Sequence, residues 1–228
     1  MSVSFNMQWK PQLIVTGDGS KSLNIPQLNE SYHSKHGAVT ESQHVFIKEG
    51  LGYLKEKKIK ILELGFGTGL NCFLSWIYAL ENKLELSYEG IELFPINDEL
   101  YELLDYELCF EQKHALLYDE IVKSKWNVCH RLDQFFSIKK IKADFLLIDR
   151  DQGFDIIYYD AFAPDKQGEL WTIEAFNKAF DLLRPGGILT TYCAKGIVKR
   201  RLREVGFIVE AIPGPPGKRE MTRAIRSA

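Results

Sequence analysis

The residues best suited to chemistry in this sequence are acids and glycines that close short apolar runs. The run at 59–64 ends in Glu63-Leu-Gly-Phe-Gly-Thr-Gly69. Glycines at alternate positions permit a tight turn and let a ligand approach bare backbone. The spacing is GxGxG, with Leu70 where a dinucleotide-binding GxGxxG turn needs its third glycine. Glu63, two residues before Gly65, would repel a pyrophosphate and suits a cationic amino group. A second run, 84–93, carries Glu92, placed to accept two hydrogen bonds from ribose hydroxyls. A third, 127–132, leads to Asp133, which suits an exocyclic adenine amine.

Three carboxylates around a glycine turn describe a pocket for a nucleoside that carries positive charge and no phosphate. S-adenosylmethionine fits that description. A fourth run, 155–160, closes on Asp160-Ala-Phe-Ala-Pro164. Asp160 would face the reactive methyl and, with an amine acceptor, orient the nucleophile and take up its leaving proton. Methyl transfer is an in-line displacement, so alignment would supply most of the acceleration. Phe162, Pro164 and Trp171 offer a wall against which a base can stack, although Trp171 equally suits the first core position of a helix.

The elements that must position these residues alternate between strand and helix from residue 59 onward. Apolar strands are expected at 59–64, 84–93, 127–132, 155–160, 188–192 and 207–212, with a hairpin arm at 143–148. Helices are expected at 70–80, 97–110, 170–183 and 198–205, the third stopped by Arg184-Pro-Gly-Gly187. Such alternation means an α/β fold, a mostly parallel sheet covered by helices on both faces. Ahead of it, 12–16 and 22–25 flank the turn Gly17-Asp-Gly-Ser20 and predict a β-hairpin, followed by a helix over 41–54. The division expected is an N-terminal extension, 1–58, packed on a core domain, 59–228. Ligands of open α/β sheets sit beyond the carboxyl ends of the strands, the edge to which each acid above is assigned.

The chain has 228 residues, 45% hydrophobic and 26% charged, the balance of a globular domain that builds its own core. This excludes a disordered chain, a collagen-like fibre and a coiled coil. No run approaches the ~18 apolar residues that span a bilayer, and 1–10 lacks the apolar centre of a signal peptide, so a cytoplasmic protein without membrane contact is expected. Cys72, Cys109, Cys129 and Cys193 form no CxxC pair, so neither a metal site nor a disulfide framework is expected. Net charge is −2, unevenly spread: 195–228 holds nine Lys or Arg against three Glu, a local +6 on a body of −8. A basic end of that kind can meet phosphate on one side of the molecule.

Gly65-Phe-Gly-Thr-Gly-Leu-Asn71, Asp160-Ala-Phe-Ala-Pro164 with Glu169-Leu-Trp171, and Arg184-Pro-Gly-Gly187 together resemble the class I methyltransferases, with their Rossmann-like, seven-stranded type of sheet. More narrowly, the chain resembles the tRNA 5-methylaminomethyl(-2-thio)uridine methyltransferases, the methyltransferase part of MnmC or its stand-alone MnmD form. Glu30-Ser-Tyr-His33, Gly37-Ala38, Glu41-Ser42, His44-Val-Phe46 and Gly214-Pro-Pro-Gly-Lys-Arg-Glu-Met221 strengthen that resemblance, which runs from about residue 10 to 225. It implies methyl transfer from S-adenosylmethionine to the aminomethyl nitrogen of a wobble uridine in tRNA. By position it implies that Gly65, Phe66, Gly67, Thr68, Gly69, Asn71, Glu92 and Asp133 hold the cofactor. Asp160 would then lie beside the acceptor amine, with Lys218 and Arg219 toward tRNA phosphate.

The sequence departs from that pattern in three places. Arg131-Leu-Asp133 stands where a Gly-Asp-Ala commonly follows the third strand, Lys166-Gln-Gly168 replaces an Asn/Gln-Pro, and 137–152 is longer than usual. No flavin-dependent domain is expected in this chain, so another enzyme would supply the aminomethyl group. The rival readings are a methyltransferase or aminopropyltransferase acting on a small amine, and an RNA-binding protein that keeps the fold without the chemistry.

Overall fold

A computed structural model describes residues 9–111, 114–149 and 153–227. Its centre is an eight-stranded sheet of β4 (Lys58–Leu64), β5 (Glu85–Glu92), β6 (Cys129–Arg131), β7 (Phe136–Lys142), β8 (Phe154–Tyr159), β9 (Leu183–Thr191), β10 (Phe207–Pro213) and β11 (Glu220–Arg226). The order across it is β10-β11-β9-β8-β4-β5-β7-β6. Strands β7, β5, β4, β8 and β9 run parallel, while β11, β10 and β6 are antiparallel to their neighbours. Chain order reverses at β4, from which one half of the sheet is built through β5 and the other through β8. A crevice at the carboxyl edge is the consequence.

Side chains alternate across the sheet. Ile61 and Ile156 join Phe73 and Tyr88 on one face, whereas Leu62 and Ile157 join Phe176 and Leu202 on the other. The helices α2 (Leu70–Asn82), α5 (Ile173–Leu182) and α6 (Gly196–Val205) lie where the alternation placed them. Thr172 accepts the Ala175 N–H and so starts α5 after a separate 3-10 turn, Gly168–Trp171. The N-terminal segment pairs β1 (Gln12–Val15), β2 (Lys21–Ile25) and β3 (Glu30–Ser31) antiparallel, one strand more than the expected hairpin. The helix expected at 41–54 is three pieces: α1 (Ala38–Ser42), a π-helical turn (Gln43–Lys48) and a 3-10 turn (Leu51–Tyr53). Its Val45 and Phe46 share the core of Ile61 and Phe73.

Several expectations need correction. The third parallel strand is β7, not 127–132; the latter holds only β6, an antiparallel edge arm paired to β7. Most of the long 137–152 segment is therefore this strand and the turn after it, and 150–152 lie outside the described residues. No strand forms at 143–148, which turns over the sheet edge instead. The segment 97–110 breaks into α3 (Asp98–Glu102) and a 3-10 turn (Tyr106–Cys109), because Asp105 takes a left-handed φ of 47°. A further helix, α4 (Ala115–Lys123), had no counterpart in the sequence reading. Arg184-Pro-Gly-Gly187 does not precede a strand but bulges out of one: Phe154 pairs with Leu183, and Ile156 next pairs with Ile188. Strand β11 was hidden in a segment read for its basic charge. Among the described residues, no helix is long and apolar enough to cross a membrane.

One close contact fixes the first turn at the sheet edge. The edge of the Phe66 ring packs on Gly90 of β5, where an added Cβ would meet it at 2.3 Å. Gly90→Ala is expected to destabilise the fold by about 1–3 kcal/mol through overpacking. It should also loosen the Gly65–Gly69 turn. Urea denaturation alongside calorimetric titration with cofactor checks both effects, and unchanged values would contradict this packing account.

Candidate active site

The parallel strands deliver their next residues to one edge. After β4 come Gly65–Thr68, after β5 Leu93 and Phe94, after β7 Ala143 to Phe145, and after β8 Asp160 to Phe162. All of them, with Glu92 at the end of β5, line a single cleft of about 920 Å³, counted with its open mouth. The glycine turn forms its floor. Gly65, Gly67 and Gly69 have φ of 87°, 49° and 76°, which L side chains rarely adopt. A Cβ on Gly65 would lie 2.5 Å from the Asp160 carbonyl oxygen, and one on Gly67 would press the Tyr32 ring at 3.0 Å.

Three tyrosines absent from the sequence reading lock this turn from beneath. Tyr101 donates to the Gly67 carbonyl (3.0 Å), Tyr118 to the Thr68 carbonyl (2.8 Å) and Tyr106 to the Thr68 hydroxyl (3.2 Å). They come from α3, the 3-10 turn after it and α4, where no periodicity marked them. His33, 3.4 Å from that hydroxyl and 2.9 Å from Ser22, is held neutral: burial lowers its pKa to about 4.

The acids fall into distinct environments. Glu92 accepts from the Gly67 N–H (3.1 Å) and the Phe94 N–H (2.9 Å), and it lines the cleft as expected. Burial raises its pKa despite those bonds. Glu63 does not reach the cleft. It is fully buried and accepts from Asn71 Nδ2 and the Tyr88 hydroxyl, each at 2.8 Å. Burial, then the nearby Asp160 charge, raises its pKa well above the carboxylate range. Asn71 Nδ2 also donates to Asp160 Oδ2 at 2.8 Å, so one amide group bridges the two carboxylates. Its own Oδ1, buried in the wall of the cleft, finds no partner among the described residues. Asp160 is pushed up to about 7, chiefly by burial and next by the Glu41 charge, against the Asn71 bond and the Lys218 charge.

Asp133 corrects the reading most sharply. It precedes β7 and so lies at the amino edge of the sheet, away from the cleft. There it accepts from the Trp76 indole (2.7 Å) and from the Phe135 and Phe136 N–H groups. The acid delivered by the true third strand is Asp144, which lines the cleft and accepts the Leu146 N–H. Taking β6 for the parallel strand displaced this assignment by the whole length of β7.

Trp171 is a core residue, fully buried against Tyr159 and Phe176, and its indole donates to the Phe162 carbonyl at 2.7 Å. It supports the aromatic wall from behind without forming it. Pro164 is half-buried and outside the cleft. Phe162 is the wall: its ring meets Tyr32 edge-on at 5.3 Å, and Gln167 fixes its backbone by accepting its N–H.

Behind Phe162 a second chamber opens, lined by Glu30, Tyr32, Glu41, Asp160, Tyr192 and Lys218. It shares Tyr32, Asp160 and Phe162 with the cleft. Lys218, expected toward phosphate, lines this chamber. Its ammonium pairs with Glu41 at 2.7 Å and stands 4.1 Å over the Tyr192 ring. Arg219 is exposed, as are Arg200 and Arg203 on α6.

These residues fit S-adenosylmethionine. The glycine cradle leaves room only for bare backbone, Glu92 offers paired acceptors, and Asn71, in the cleft wall, carries a buried oxygen with no partner among the described residues. A family model described as S-adenosyl-L-methionine-dependent methyltransferase matches residues 112–227. The tRNA 5-methylaminomethyl-2-thiouridine biosynthesis bifunctional protein MnmC of Cupriavidus necator is 32% identical over 216 residues, covering 87% of this chain and 32% of that protein. The chain thus spans about a third of the length of the curated relatives it matches. Among solved structures, MnmC2 from Aquifex aeolicus superposes with a TM-score of 0.78 at 23% identity, over 98% of this chain and 72% of that one. Spermidine synthase from Thermotoga maritima reaches 0.53 at 12% identity, over 100% of this chain and 84% of that one. At such identities these two show a shared fold.

The two aspartates can be told apart by substitution. Asp144→Ala is expected to weaken cofactor binding about tenfold, the loss of a charged hydrogen bond, with the fold intact. Asp133→Ala is expected to lower the melting temperature and leave cofactor affinity unchanged. Calorimetric titration and thermal unfolding of both variants check this, and the reverse pattern would restore the first assignment.

Proposed function

Because the chain belongs to the S-adenosyl-L-methionine-dependent methyltransferases, a family whose model matches just over half of it, we propose that it methylates the aminomethyl nitrogen of 5-aminomethyl(-2-thio)uridine at the tRNA wobble position, in the cytoplasm. The observation that carries this reading is the second chamber. It joins the cofactor cleft at Asp160 and presents Glu30, Glu41 and Asp160, a lining suited to an amine and hostile to an anionic acceptor. The relatives named for biosynthesis of 5-methylaminomethyl-2-thiouridine support the same acceptor.

In this reading Gly65 to Gly69, Asn71, Glu92 and Asp144 hold the cofactor. Phe66 and Thr68 act indirectly, one by packing on Gly90 and the other by anchoring to Tyr106 and Tyr118. When bound, S-adenosylmethionine supplies a sulfonium methyl that the acceptor nitrogen takes by in-line displacement, the C–S electron pair staying on sulfur. Asp160 orients that nitrogen and accepts the proton the new N–C bond displaces. Its high pKa matches a proton acceptor working near neutrality. Phe162 and Tyr32 stack against the uracil ring. Residues 1–58 contribute Tyr32 and Glu41, so the extension completes the acceptor side. Exposed Arg200, Arg203 and Arg219 meet tRNA phosphate, and binding weakens as salt rises.

The test is incubation with methyl-labelled S-adenosylmethionine and tRNA bearing unmethylated aminomethyluridine, followed by nucleoside mass spectrometry. Label is expected in methylaminomethyluridine. Label absent from tRNA but present in an added polyamine would replace this reading with a small-amine transferase. The rate is also expected to rise with pH through about 7, as the Asp160 carboxyl ionises, and Asp160→Asn should lose that limb together with most of the activity. A flat pH profile in the native enzyme would contradict a proton-accepting Asp160.

A further inference from the structure

We propose that Lys218 is an electrostatic counterweight inside the acceptor chamber, which keeps the acceptor nitrogen and Asp160 unprotonated, rather than a contact for nucleic-acid phosphate. The inference rests on the amine-acceptor reading above and adds how that site controls the charge state of its substrate.

The chamber poses a problem to its own chemistry. An alkylamine is mostly an ammonium at neutral pH, and an ammonium has no lone pair to attack a methyl group. A lining of Glu30 from β3, Glu41 from α1 and Asp160 from the end of β8 stabilises that unreactive form, because opposite charge within a few ångströms raises an amine pKa. Something in the chamber must offset this.

Lys218 is placed to do so. Its Nζ donates to Glu41 Oε1 at 2.7 Å, while Glu41 Oε2 accepts the Ser34 N–H at 2.8 Å, so both oxygens of that carboxylate are engaged. The same ammonium lies 4.1 Å from the centre of the Tyr192 ring, a cation–π contact that holds it beside the acceptor space. Tyr192 is fixed in turn by its hydroxyl, which donates to the Ala161 carbonyl at 2.8 Å. The Lys218 charge is felt at Asp160, where it opposes the rise caused by burial and Glu41. The backbone is built to deliver it: the Lys218 N–H donates to the Pro215 carbonyl, and Gly217, at φ 85°, leaves no space for a Cβ against His36.

The other charged or titratable groups facing the chamber do not replace it. His33 is neutral at working pH, its pKa lowered by burial. Tyr32 and Tyr192 are held protonated by burial. Lys35 lines the chamber without an ion pair among the described contacts to either Glu41 or Asp160. Glu220, two residues on, is engaged by Lys199. Lys218 therefore acts through Glu41 and Asp160 as a positioning residue, and the third acid, Glu30, remains to hold the incoming amine.

The experiment compares native enzyme, Lys218→Met and Lys218→Arg across pH 5.5 to 9.5, following kcat/KM for methyl transfer to aminomethyluridine tRNA, with tRNA affinity measured at several salt concentrations. For Lys218→Met the acid limb is expected to move up by about one pH unit, the size of effect a nearby charge exerts. That is about a tenfold loss below the limb, with little loss above it. The slope of affinity against salt should not change, and Lys218→Arg should keep the native limb. An unmoved limb with a shallower salt slope would overturn the inference in favour of a phosphate contact. A uniform loss at every pH would overturn it in favour of a merely structural ion pair. If native enzyme transfers no methyl to this tRNA, the failure belongs to the substrate reading instead.

Discussion

Two carboxylates end adjacent strands of this sheet with a single amide between them, and the site is arranged around keeping both there. Glu63 on β4 and Asp160 after β8 each accept one hydrogen bond from the same Asn71 nitrogen. Neither is well solvated, and the Asp160 charge raises the cost of ionising Glu63. Asn71 can span them only because α2 begins where it does, on Gly69 in a left-handed conformation. That start requires the turn from Gly65, which requires Phe66 to fit onto Gly90. The bridged carboxylates, the glycine turn and the aromatic slot therefore form one constraint. The three tyrosines that secure Gly67 and Thr68 extend it to α3, the 3-10 turn after it and α4.

The fold at this edge was largely legible in the sequence. Apolar runs closed by acids located β4, β5 and β8, and the glycine spacing located the turn. What misled was a short strand pair. Residues 127–132 and 136–142 both resemble strands, but only the second has partners on both sides, and periodicity does not report how many neighbours a strand has. Asp133 was expected at the cleft for that reason, where the structure has Asp144 instead. Glu63 was legible as an important acid but not as a buried one, since the sequence does not show that Asn71 and Tyr88 come between it and the cleft or beneath it.

The acceptor side was the least readable part. It draws on β3, α1 and the ends of β8 and β9, together with the turn before β11, elements separated by up to 188 positions between Glu30 and Lys218. Local patterning carries no signal for such a meeting. Resemblance supplied Lys218 and Glu41 as motif members, and charge alone suggested phosphate for the lysine. Only the three-dimensional arrangement shows that the two pair with each other inside the chamber. The small N-terminal sheet is thus more than an attachment, since it carries Tyr32 to the glycine turn and forms one wall of the chamber.

The claim on which the chemistry rests is that Asp160 is a poorly solvated carboxyl that titrates near neutrality. Carbon-13 carboxyl NMR of aspartate-labelled protein, assigned by Asp160→Asn, measures this directly. The account requires a midpoint close to the value of about 7 set by burial beside Glu41. A midpoint near 4, the ordinary value for aspartate, would show a solvated surface acid and would contradict its role as proton acceptor.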